Sequence, residues 1–149
     1  MGPLDVMEEV KCATKAFIMD GEKILVVKQK LKNGKGFYAN EFWDLPGGRM
    51  EFGLTPEENL KKEVKEEVCL EIEIEKLIGT SQFVNHKGDQ VVCLNYLCKP
   101  KSKKVDITKN PADGENIIKF EWIAPKDFFQ QLTDEQAGLK NFVKKYFFG

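Results

Sequence analysis

At 149 residues the chain has the length of one ordinary domain, enough to bury a sizeable core. Its 42% hydrophobic and 32% charged content describes a soluble globular protein, and 23 basic against 24 acidic residues give a net charge of −1, which offers no general attraction to duplex nucleic acid. No apolar run approaches the ~20 residues that span a bilayer, and Met1 to Lys11 carries Asp5, Glu8 and Glu9 without an apolar centre, so neither a membrane span nor a signal peptide is expected.

Lys11 to Met19 and Lys23 to Lys28 are β-rich runs joined by Asp20-Gly21, a hairpin signal. Lys32 to Asn40 contains Gly34 and Gly36 and reads as a loop. Phe42 to Asp44 is a short strand entering a Pro46-Gly47-Gly48 turn. Thr55-Pro56-Glu57-Glu58 is a helix start, with Thr55 as the N-cap, Pro56 as the first helical residue and Glu58 closing a capping box. This helix is expected to run to about Val68, with Leu60, Val64 and Val68 on its buried face.

Leu70 to Val84 and Gln90 to Cys98 form a second hairpin around Asn85-His86-Lys87-Gly88. Ile117 to Ile123 is a further strand and Pro125 to Leu132 a short helix. Thr133 to Phe148 is a final helix with Thr133 and Gln136 as a capping box. Its stripe of Leu139, Phe142, Val143, Tyr146 and Phe147 reads as core packing. Strands interleaved with helices and hairpins place the chain in the α/β class, as one domain (residues 1–149) with a mixed sheet covered on both faces.

Four cysteines, at 12, 69, 93 and 98, have no metal-type spacing. They read as reduced thiols in a cytoplasmic protein, with Cys93 and Cys98 on opposite faces of one strand. The single histidine, His86, reads as a surface residue of a turn. The basic run Lys99 to Lys104 reads as a solvated loop.

The chemistry concentrates in one place. Glu63, Glu66 and Glu67 stand at i, i+3 and i+4 of the first helix, so their side chains share one face. Stacked carboxylates repel one another. A hard divalent cation removes that penalty, and Mg²⁺ suits carboxylates together with phosphate oxygens. An acidic helix alone would be a solvated face, and Gly47-Gly48 alone only a turn. Their fixed separation, with Glu51 and the capped helix start between them, points to metal-assisted phosphate chemistry.

From Gly48 to Leu70 the chain resembles the Nudix hydrolases: Gly48, Glu63, Val64, Glu66, Glu67 and Leu70 match the family's box, and Pro46-Gly47 and Glu51-x-Gly53 are also similar. Three positions depart: Leu54 stands where the family has Glu, Lys62 where it has Arg, and Cys69 where it has Gly. The resemblance implies a structural ion pair between the first two positions. Here both partners are changed, so neither charge of that pair is left alone. Cys69 removes a residue suited to a left-handed helix end and is expected to shift the helix exit.

The resemblance further implies an α/β/α sandwich and hydrolysis of a phosphoanhydride in a nucleoside diphosphate linked to another moiety, with Mg²⁺ or Mn²⁺ as cofactor. Glu63 and Glu67 are then the principal metal ligands, Glu66 a ligand or the base, and the Gly48 carbonyl a further ligand. Glu66 and Glu67 are the catalytic candidates, and Glu115, on a later loop, is an alternative base. Lys28 and Lys30 are candidates for phosphate contact, and Phe37, Tyr38 and Phe83 for stacking on a base. A nucleoside triphosphate or related nucleotide leads among substrates. The expected partner is this small molecule, not nucleic acid or membrane; a homodimer is left open. A second reading, a Nudix-fold binding or regulatory module with a decayed box, rests on the three departures.

Overall fold

In a computed structural model, the structure describes residues 9–102, 104–109 and 115–149, so the expectations placed on Met1 to Glu8, on Lys103 and on Asp113-Gly114 lie outside it. β1 (Val10–Asp20) turns through Gly21 into β2 (Lys23–Leu31), the hairpin that Asp20-Gly21 signals. β3 (Phe42–Asp44) follows a short 3-10 turn at Gly36–Ala39. Gly47–Arg49 is not only a turn: it forms a strand of its own, β4. α1 (Pro56–Val68) precedes the long hairpin of β5 (Ile72–Val84) and β6 (Gln90–Pro100). β7 (Glu115–Ile123), α2 (Pro125–Gln131) and α3 (Ala137–Phe148) complete the described chain. Thr133 and Gln136 do form a capping box, but the first turn they close is 3-10 rather than α.

The sheet is mixed. β1 runs parallel to β6, and the other pairings are antiparallel. On its other edge β1 pairs with β2 only at the hairpin end, Met19 against Ile24. Further back it pairs with β4, Lys15 against Gly47. β2 meanwhile takes β3 and β7 as its neighbours. This change of partners draws the glycine strand against the middle of the sheet.

One face carries α1. Leu60, Val64 and Val68 are fully buried there against Ala16, Ile18, Leu25 and Val27, as the helical spacing implies. The other face packs α2 and α3 through Phe17, Trp43, Phe128 and Val143. Cys93 and Cys98 fall in different clusters, and all four thiols are free. The exit of α1 keeps a left-handed residue although Cys69 is not glycine. The helix ends at Val68, and Cys69 itself takes the left-handed conformation (φ 58°, ψ 28°), its N–H donating to the Lys65 carbonyl at 3.1 Å. Val68 and Leu70 are both fully buried, so the core fixes the exit and the cysteine backbone conforms to it.

Candidate functional site

Two glycines let β4 sit where side chains would not fit. A Cβ on Gly47, at φ 145°, would overlap the Thr14 carbonyl of β1. A Cβ on Gly48 would lie 2.5 Å from Glu63 Oε2, so the Glu63 carboxylate rests against the Gly48 backbone. One turn later in α1, Glu67 is only 7% exposed and accepts a 2.7 Å hydrogen bond from the Gly47 N–H. Asn59 ties the same loop to the helix. Its amide donates to Thr14 Oγ1 at 3.0 Å and accepts from the Glu51 N–H at 3.0 Å. Asn59 escaped the sequence reading because nothing local marks an asparagine as buried.

Lys62 has partners of its own. Its Nζ lies 2.6 Å from Glu51 and 2.8 Å from Glu66, so the expectation that both members of the family's ion pair are simply lost needs correction. Glu51, eleven residues earlier, supplies a carboxylate partner for Lys62 that Leu54 cannot. Those two hydrogen bonds raise the Lys62 pKa above its ordinary value. The pair is nearly half exposed, so its worth is specificity of placement more than stability.

Lys15 lies beneath the glycine strand, its side chain only 11% exposed, with Nζ 3.0 Å from Asp44 Oδ2. Burial alone would depress its pKa. The charges of Asp44, Cys93 and Glu67, with the hydrogen bond to Asp44, outweigh burial and raise it. Lys15 is therefore a fixed positive charge at the floor of a cavity of about 620 Å³, within the size range of small-molecule sites. Neither Lys15 nor Asp44 stands out in sequence, because they are 29 residues apart.

The cavity gathers some of the residues singled out from sequence and leaves others aside. Gly48, Glu63, Tyr38 and Phe83 line it, as does His86, which stands with its ring centroid 6.2 Å from that of Tyr38. Phe37 packs behind, on Tyr38 and Phe42, at 5.1 and 5.6 Å between centroids. Lys28 is not among the lining residues; it sits over the Trp43 ring with Glu41 at 3.7 Å. Lys30 is exposed. Glu115 begins β7, and its side chain lies outside the described residues.

Among the described residues no three acidic, cysteine or histidine side chains close on one point as a finished metal cage. The donor chemistry nonetheless fits a hard divalent ion. Glu63 and Glu67 bring carboxylate oxygens to the Gly47-Gly48 backbone, and the missing Cβ of Gly48 is what lets the Glu63 carboxylate come that close. Glu66, engaged by Lys62, is adjacent on the same face.

The NUDIX domain profile matches residues 11–146, which takes in the glycine strand, the carboxylate helix and most of the cavity wall. The chain belongs to the Nudix family. A MutT-like protein of Streptomyces ambofaciens is 30% identical over 98 residues, covering 66% of this chain and 58% of that protein. The human 8-oxo-dGDP phosphatase NUDT18 is 32% identical over 101 residues, covering 68% of this chain and 28% of its own. The chain thus spans less than two thirds of the length of either relative. In fold, this Nudix domain superposes on the MutT protein of Methanosarcina mazei Go1 with a TM-score of 0.76 at 15% identity over 94% of each chain. Among the described residues no helix is long and apolar enough to cross a membrane.

Proposed function

We propose that this chain is a divalent-metal-dependent hydrolase that cleaves a phosphoanhydride in a nucleoside diphosphate linked to another moiety, a nucleoside triphosphate or related nucleotide. The observation that carries this reading is the buried Glu67 held on the Gly47 N–H beside Glu63, which lies against Gly48. A buried carboxylate is tolerated where it is hydrogen-bonded or coordinates a metal, and here it stands at glycine backbone one turn from a second carboxylate. One relative bears the name of a phosphatase of 8-oxo-dGDP, a nucleoside diphosphate, which supports a nucleotide substrate.

Glu63, Glu67 and the Gly48 carbonyl are the groups that would hold Mg²⁺ or Mn²⁺. When bound, the ion neutralises phosphate charge and makes a water more acidic. Glu66 provides the proton acceptor on the same helix face, with Lys62 restricting where its carboxylate stands. Lys15 adds fixed positive charge at the cavity floor. The only histidine is on the turn at the cavity wall, and among the described residues no nucleophile is hydrogen-bonded to it, so attack by water on phosphorus is the expected route.

A nucleotide panel assayed for Mg²⁺-dependent release of phosphate or pyrophosphate tests the reading. Glu67→Gln keeps an acceptor for the Gly47 N–H while removing the charge. It is expected to lower kcat by at least about a hundredfold, ~2.7 kcal/mol in barrier, with the melting temperature close to that of the parent chain. Full turnover by this variant would overturn the assignment, and no turnover of any diphosphate by the parent chain would favour a binding module.

A further inference from the structure

The cavity wall is richer in positive charge than the chain as a whole. The net charge of the chain is −1, yet Lys15, Lys32, Lys35, Arg49 and Lys87 line the cavity against two carboxylates, Asp44 and Glu63. Asp44 is taken by Lys15 at 3.0 Å, and Glu63 stands at Gly48. Lysines elsewhere find acids of their own: Lys28 has Glu41, Lys65 has Glu71 and Lys119 has Glu121. Lys32, Lys35, Arg49 and Lys87 are exposed at the cavity and make no ion pair among the described residues. Asp89, on the same turn as Lys87, is drawn away by Lys11 at 3.1 Å. Cations gathered without counter-charge repel one another, and a cleft lined by one sign concentrates ions of the other.

Three of these cations stand at one end. Lys32 and Lys35 come from the loop after β2, and Lys87 from the turn between β5 and β6. Tyr38 joins the two segments: its hydroxyl donates to the Val84 carbonyl at 3.3 Å, and its ring centroid lies 6.2 Å from that of His86. The backbone under two of the lysines is fixed. The Lys35 carbonyl accepts from the Tyr38 N–H at 3.0 Å, and the Lys87 N–H donates to Asn85 Oδ1 at 3.0 Å. The sheet register sets this end apart from the carboxylate helix. Gly48 lies opposite Thr14 on one edge of β1, and Gln90 lies opposite Val10 on the other. Strand rise and strand spacing put Gly48 and Gln90 about 16 Å apart, and the turn that carries Lys87 extends further. A lysine stem shortens that gap without closing it. The wall also carries neutral groups: Gln29 and Phe42 face each other across β2 and β3, and the Gln29 side chain, 4% exposed, makes no hydrogen bond among the described residues.

We propose that Lys32, Lys35 and Lys87 hold a further phosphate of the substrate, one remote from the anhydride. The inference rests on the nucleotide-hydrolase reading above, which puts the anhydride at Gly48, Glu63 and Glu67. The phosphates of a diphosphate are consecutive, so a group held at the carboxylate helix does not extend to the three lysines. A nucleoside triphosphate would turn only its neutral ribose and base toward them. A phosphate monoester, carried on the ribose or on the moiety joined through the anhydride, meets three ammonium donors there. Arg49, next to Gly48 on β4, belongs to the anhydride end.

Bisphosphates that lack an anhydride test this without hydrolysis. Calorimetric titration of the intact chain, with Mg²⁺ present, compares adenosine 3′,5′-bisphosphate with AMP, and ribose 1,5-bisphosphate with ribose 5-phosphate. In at least one pair the bisphosphate is expected to bind at least about tenfold more tightly. The pair that responds shows whether the nucleoside or the linked moiety carries the phosphate. Combining Lys32→Gln, Lys35→Gln and Lys87→Gln should abolish the gain and leave the monophosphate affinity within about twofold. Combining Lys23→Gln with Lys126→Gln, two exposed lysines away from the cavity, should preserve it. No gain in either pair, a gain that survives the triple variant, or one lost equally in the distant double variant overturns the proposal. Binding is read apart from turnover. If the gain appears and no diphosphate is cleaved, the hydrolase reading fails alone; if diphosphates are cleaved and no gain appears, only the remote-phosphate site fails.

Discussion

On the face that carries α1, sheet and helix meet through side chains closed to water: Leu60, Val64 and Val68 against Ala16, Ile18, Leu25 and Val27. On the face that carries α3, Phe17 and Val143 are as fully buried. There the packing gives way at Gln136 and Leu139 to a cavity whose floor and walls include Lys15, Ser81 and Cys93. The difference assigns separate tasks. The dry face fixes α1, since any movement of the helix would give up apolar contacts, and so it holds Glu63 and Glu67 against the glycine strand. The open face spends its surplus volume on a space with polar groups at set positions, where a ligand has something to bind.

Truncation should separate the faces most sharply. Leu60→Ala removes a fully buried side chain from the dry face and is expected to cost about 3–4 kcal/mol, measured by urea denaturation. Activity should fall only as the folded fraction falls. Lys15→Met acts on the open face and leaves Asp44 without its ion-pair partner. Breaking such a pair is expected to cost about 3 kcal/mol, while Lys15→Met with Asp44→Leu should recover most of the stability without recovering turnover. A double variant as unstable as the single one would show that the pair is not what makes Lys15 matter.

The thiols give a subtler comparison. Burial pushes Cys93, at the cavity, up to about 11, and Cys98, in the dry core, up to about 12, from a starting value of 9.0. A folded pKa above the unfolded one contributes stability that is complete below pH 9 and is lost as pH rises toward the folded values. Each thiol should therefore cost on the order of 1 kcal/mol near pH 10. Denaturation midpoints across that range check the sign, and a thiol-specific reagent should label Cys93 before Cys98. The smallest effect concerns the helix exit. Cys69→Gly relieves a left-handed residue and should add about 0.5–1 kcal/mol, with kcat unchanged, since the core already sets where α1 ends.

Much of this was legible in the residues. The capping box Thr55–Glu58 and the Pro56 start appear as read, because capping is decided within one turn of chain. The hairpin at Asn85–Asp89 appears too, with Asn85 Oδ1 accepting from the Lys87 and Asp89 N–H groups as short-range turn chemistry predicts. The spacing of Glu63, Glu66 and Glu67 from Gly48 was likewise a property of the sequence, fixed by helical period once the helix was placed.

Tertiary structure decided how those carboxylates differ: Glu67 buried on a backbone N–H, Glu63 laid along Gly48, Glu66 drawn to Lys62. It also decided that Gly47–Arg49 is a strand, that Lys62 finds Glu51, that Lys15 finds Asp44, and that Gln29 faces the cavity unpaired. Helix starts and turns depend on neighbours a few residues away, and so the sequence alone carries them. The partner of Lys15 and the placement of Gln29 depend on where β1 leaves β2 for β4 and where β2 pairs with β3, and strand register is set only when distant segments pack together.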